Sequence, residues 1–74
     1  MDQRLVDIYV NWQVRLDEDE WYFAKAFEAI TNGLSAEEAF NYIPNAVRMI
    51  LLLQDDFLIW NTLYFLIRLY SIIR

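Results

Sequence analysis

The chain of 74 residues is 58% hydrophobic and 18% aromatic, carries six basic against eleven acidic side chains for a net charge of −5, and contains neither Cys nor His. A domain of this size hides only about 60% of the surface that its unfolded chain exposes, so a composition more apolar than the globular norm predicts one domain, residues 1–74, that covers its surplus by association. The absent residue types exclude disulfides, thiolate metal sites and the usual catalytic bases, and the negative charge disfavours nucleic acid as a direct partner.

The charge is unevenly placed. Residues 1–42 hold nine of the eleven acids against three bases, and residues 43–74 hold two acids against three bases. The front half therefore suits a protein partner with a basic surface, while the back half calls for apolar cover. The opening Met1-Asp2-Gln3-Arg4 lacks the basic-then-apolar order of a secretory signal, which favours the cytoplasm.

Residues 6–16 fit two templates. Val6, Ile8, Val10, Trp12, Val14 and Leu16 alternate with polar neighbours at the period of a half-buried strand. At helical period, Leu5, Ile8, Tyr9, Trp12 and Leu16 share one arc, with Arg4, Asp7, Asn11, Arg15 and Glu18 opposite. No second strand is in sight to pair with the first, and an open strand edge is a liability, so the segment is read as a helix with Asp2 as its N-cap. A strand here would pair across a homodimer or join a partner's sheet.

The densest charge run follows, Asp17-Glu18-Asp19-Glu20, with Trp21 beside it. One of its aspartates suits the cap of the next helix. The same five residues, Asp17, Glu18, Asp19, Glu20 and Trp21, are the candidate partner-binding surface, because an outward Trp beside charge is a common anchor. From Trp21 to Asn32 an amphipathic helix turns Tyr22, Phe23, Ala26, Phe27 and Ile30 inward and Lys25, Glu28 and Thr31 outward. Gly33, the single glycine, sits where a left-handed C-terminal residue is wanted.

Ser35-Ala36-Glu37-Glu38 is a capping box that starts a further helix. Pro44 disfavours helix at Ile43 and suits the first turn of a following one, so this helix is expected to be short, plugging Ala39, Phe40 and Ile43 against the core. A helix-turn-helix reading of this region fails, since Arg48 is the only base where a recognition helix needs several.

Residues 45–74 hold no Gly and no Pro and read as one long helix over about 45–73, roughly 45 Å in length. Asp55-Asp56 offers an alternative cap that would divide it in two. Arg48, Asp55 and Thr62, with Gln54, Asn61 and Arg68 on the adjacent line, form a narrow polar stripe that faces solvent or fixes register in an assembly. The remainder is apolar. Phe57, Trp60, Leu63, Tyr64, Leu66, Ile67 and Tyr70 are the candidate oligomer interface.

Catalytic equipment is poor. Thr31, Ser35, Thr62 and Ser71 have no His to activate them, Asp55 and Asp56 as neighbours on a helix point about 100° apart, and one Gly cannot make a phosphate-cradling loop. No enzyme, cofactor or metal is expected. The expectation is an all-α bundle of three to four helices, completed by homo-oligomerisation with a dimer favoured, that binds and regulates or inhibits a larger protein. Such small acidic chains suit regulators of phage or mobile-element origin. The alternative is a small membrane-associated protein that inserts its C-terminal helix, although each Asp or Arg met in mid-span costs about 2.5–3.5 kcal/mol.

Overall fold

Asp2 opens the fold as an N-cap: its carboxylate accepts the Arg4 amide at 2.8 Å, as such residues do at helix starts. Five helices follow in the computed structural model, which describes residues 2–74: α1 (Gln3–Tyr9), α2 (Trp12–Glu18), α3 (Tyr22–Thr31), α4 (Ala36–Leu52) and α5 (Asp56–Ile73). There is no strand among the described residues, so the strand reading of residues 6–16 is overturned. The helical arc is the right one, with Leu5 and Ile8 buried and Tyr9, Trp12 and Leu16 packed against the core. It is nevertheless two helices, because Asn11 adopts a left-handed φ of 53°, a conformation that Asn tolerates better than most residues.

The long C-terminal helix is also divided. α4 ends at Leu52, and Asp55 restarts the helix by accepting the amides of Phe57 at 2.9 Å and Leu58 at 3.4 Å. A single helix over 45–73 would outrun the molecule, whose longest dimension is 33 Å. Folding back instead lays α5 against α4 as an antiparallel hairpin, the most extensive helix pair in the structure and the usual result of a short connection.

Pro44 does not end the helix that Ser35 starts. The capping box is formed, with the Glu38 amide donating to Ser35 Oγ at 3.1 Å and the Ser35 amide to Glu38 Oε1 at 3.0 Å, and the helix runs on through Pro44 to Leu52. An interior proline removes one backbone bond and costs about 3 kcal/mol. The burial of one line on both sides of it, Ala39, Tyr42, Ala46 and Met49, keeps the two halves in register. Phe40, expected in the core, is 64% exposed as a consequence of that register.

α1 to α3 cover one side of the hairpin. Phe23, Phe27 and Ile30 of α3 meet Leu58, Phe65 and Leu69 of α5 in a core that also takes Leu5 and Ile8 of α1 and the buried line of α4. Phe27 and Phe65 stack at 4.7 Å, and Tyr42 meets Phe65 edge-on at 5.7 Å. Gly33, at φ 84°, closes α3 as its position predicts. Tyr22 ties the N-terminal helices together: its hydroxyl donates to the Ile8 carbonyl at 2.7 Å and accepts from Arg15 Nη1 at 2.9 Å.

Two threonines expected outside lie inside. Thr31 and Thr62 are buried, and each donates to the carbonyl four residues earlier, Phe27 at 3.0 Å and Leu58 at 2.8 Å. A hydroxyl satisfied on its own helix can be buried without an orphaned donor. The remaining acceptor sites are filled across the fold, by Arg68 Nη2 on Thr31 at 3.3 Å and by the Tyr9 hydroxyl on Thr62. The expected polar stripe is thus partly an inner seam between α5, α3 and α1.

Two variants test this account. Ser35→Ala, by losing the cap, should lower unfolding free energy by about 0.5–2 kcal/mol in chemical denaturation. The Tyr42 hydroxyl is buried beside the Asp2 carboxylate, and burial, then that negative charge, pushes it from 10.0 up to about 12. The folded state keeps this proton where the unfolded chain loses it, so stability is full below pH 10 and falls as pH rises towards 12. Tyr42→Phe should flatten the alkaline decline in thermal melts, because the group whose proton the fold retains is gone. A residual slope should remain from Tyr9, which burial also raises.

Candidate interaction surfaces

The acidic stretch and Trp21 fall on the α2–α3 connection. Asp17 and Glu18 close α2 and are exposed, as is Glu20, while Asp19 is engaged within the fold. Its Oδ1 accepts the Trp21 amide at 3.0 Å and its Oδ2 pairs with Lys25 at 2.8 Å. The Lys25 ammonium, then the Trp21 amide, hold the Asp19 carboxyl below its usual range. Trp21 is 63% exposed and stands beside a groove of about 360 Å³ between α2, α3 and α5, lined by Leu16, Glu20, Phe23, Phe57 and Tyr64 among others.

The candidate interface residues of α5 divide in two. Trp60, Tyr64, Ile67 and Tyr70 are exposed, and Leu63 is half-buried. Phe57 and Leu66 are partly used inside the chain: Phe57 stacks on Trp12 at 5.6 Å and meets Phe23 at 6.0 Å, and Leu66 packs on the core. The cause is rotational. The inward line of α5 is Leu58, Thr62, Phe65 and Leu69, so at 100° per residue Leu63, Ile67, Trp60 and Tyr70 occupy the far side.

A matching line on α4 went unnoticed in the sequence. Phe40, Val47 and Leu51 are 64%, 40% and 78% exposed, and with the exposed Pro44 they recur at intervals of four, three and four residues. That recurrence was the available signal, hidden because Phe40 was assigned to the core. Each line lies on the side of its helix away from that helix's buried line. With aromatic side chains of about 150–250 Å² each, Phe40, Val47, Leu51, Trp60, Ile67 and Tyr70 expose roughly 700–800 Å² of mainly apolar surface.

Side chains with catalytic potential are occupied elsewhere. The hydroxyls of Thr31, Thr62 and Ser71 donate to carbonyls of their own helices, and Ser35 serves its cap. Among the described residues no group of three Asp or Glu is placed to hold a metal ion. α5 is long and apolar enough by length and composition to cross a membrane, with a mean hydropathy of 1.2 over its 18 residues. Compared with known proteins, the chain matches no family model, no curated protein and no solved structure.

Replacing the acids singly separates structure from surface. Asp19→Ser should lower the thermal midpoint, and the difference from wild type should vanish as pH falls through the depressed Asp19 titration, because that contribution exists only while the carboxylate is ionised. The combined Asp17→Ser, Glu18→Ser and Glu20→Ser variant should hold or raise the midpoint, since exposed substitutions stay within about 0.5 kcal/mol and the change relieves negative self-repulsion.

Proposed function

We infer that the protein is a non-enzymatic interaction module, a small acidic helical homo-oligomer that binds and regulates or inhibits a larger protein. The observation that carries this reading is the amount of exposed apolar surface on α4 and α5, contributed by Phe40, Val47 and Leu51 and by Trp60, Ile67 and Tyr70. Its exposed area, roughly 700–800 Å², is close to the 800 Å² per partner of a standard interface. At about 25 cal/mol per Å², leaving it in water forgoes a driving force that exceeds the stability of many small domains.

Self-association through Trp60, Ile67 and Tyr70 uses none of the acidic residues of the α2–α3 connection, which are carried on other elements. Asp17, Glu18, Glu20 and Trp21 then combine charge with an apolar anchor, a pairing suited to a basic protein surface. Membrane insertion of α5 is the competing reading. It requires Leu58, Phe65 and Leu69 to leave the core and places Arg68 in the bilayer, where a cation is costly, whereas a soluble oligomer keeps both the core and the Arg68 contact with Thr31.

Sedimentation in detergent-free buffer tests the reading. Wild type should be a dimer or higher oligomer at micromolar concentration, and Ile67→Asp and Leu51→Asp, both at exposed positions, should give folded monomers with association weakened at least about 100-fold, as expected for a charge buried without a partner. A wild-type monomer, or recovery in carbonate-washed membranes, would overturn it.

A further inference from the structure

The outer line of α5 has a repeat that specifies how two copies meet. Asp56, Trp60, Leu63, Ile67, Tyr70 and Arg74 follow one another at intervals of four, three, four, three and four residues. Sustained over this length, that spacing is the seam of a helix that packs lengthwise on another. The residues lie opposite the buried line Leu58, Thr62, Phe65 and Leu69, so the seam is unused by the chain's own core. Its four inner members are apolar, and its two ends carry opposite charges.

We propose that α5 packs antiparallel against α5 of a second copy, with Asp56 of each chain beside Arg74 of the other. This deepens the homo-oligomer reading given above and rests on it. The direction follows from the charges. A parallel pair would set Asp56 beside Asp56 and Arg74 beside Arg74, and like charges held together are destabilising, whereas the antiparallel pair joins unlike charges at both ends. It also opposes the two helix dipoles.

The register follows from the same repeat. Reversing the seam on itself places Asp56 against Arg74, Trp60 against Tyr70 and Leu63 against Ile67, with the two-fold axis passing near Phe65. Large rings then meet rings and the aliphatic pair closes the centre, the self-complementary contact that a two-fold interface demands. Among the described residues Asp56 and Arg74 form neither an ion pair nor a side-chain hydrogen bond, and both are exposed. Within the seam, Trp60, Ile67 and Tyr70 are 71%, 63% and 60% exposed, so a second α5 laid along it covers the most exposed large apolar side chains of this helix.

Charge reversal and thiol pairing test the arrangement in the full chain. Asp56→Arg and Arg74→Asp should each weaken dimerisation by roughly tenfold in sedimentation equilibrium, and the two together should return it to within about threefold of wild type. Circular dichroism should show equal helix content throughout, since both residues are exposed. The chain has no Cys, so introduced thiols are unique. An equal mixture of Asp56→Cys and Arg74→Cys chains should cross-link under mild oxidation, while each alone should not, because like positions would lie about 27 Å apart along the helix.

A dimer in which Asp56→Cys cross-links to itself, or in which double reversal is weaker than either single change, overturns the antiparallel pairing and leaves the homo-oligomer reading standing. A wild-type monomer overturns both. So does flotation of the wild-type chain with phosphatidylcholine and phosphatidylglycerol vesicles in place of dimer formation.

Discussion

The parallel rings of Phe27 and Phe65, 4.7 Å apart and almost wholly buried, are the contact on which the remaining packing depends. They join α3 to α5 at the centre of the molecule, and Tyr42 of α4 closes on Phe65 from the side. Helices this short have little stability alone. Each is held because it adds surface to this aromatic centre: Phe23 extends it towards Tyr9, Trp12 and Phe57, and Leu5 and Leu69 are fully buried in the same core. Removing either ring would open a cavity where four of the five helices converge.

One centre of this size cannot accommodate the chain's apolar content. α5 illustrates the limit, since it is apolar nearly all round yet can turn only one side to α3 and the adjacent side to α4. The side left over is as greasy as the side that is buried. A polar-faced helix is the usual solution in a monomer, and its absence here is the physical basis for the proposal that α5 associates. The acidic α2–α3 connection is the complementary case, where Asp19 serves the fold and its neighbours do not.

Local grammar was legible in the sequence. Asp2, Gly33, the Ser35–Glu38 box and the inward set of α3 act where their spacing places them, because each depends on neighbours within one or two turns. Features decided by distant contacts were not legible. Pro44 argued for a helix end, but the line from Ala39 to Met49 holds both sides of it in one helix. Thr62 and Thr31 counted as polar, although a hydroxyl bonded to its own helix behaves in packing much as Val does. The break before Asp55 had a cap as its only local mark, and the case for it comes from the space that a straight helix would exceed. Of the exposed apolar side chains, Trp60, Tyr64, Ile67 and Tyr70 of α5 stood out by composition, while Phe40 was hidden by its assignment to the core.

The left-handed turn at Asn11 affects the order in which the structure assembles and opens. It divides the N-terminal segment into two seven-residue helices, and α2 contributes no fully buried residue. The α4–α5 hairpin, by contrast, is contiguous in sequence, begins each helix with a side-chain cap and closes a short loop, conditions that favour early formation. α1 and α2 then dock onto a surface already made. With no fully buried residue of its own, α2 is the element whose backbone amides should exchange with solvent through local opening, while those in the middle of α5 should wait for global unfolding. The most acidic part of the chain is thereby carried on its least anchored element.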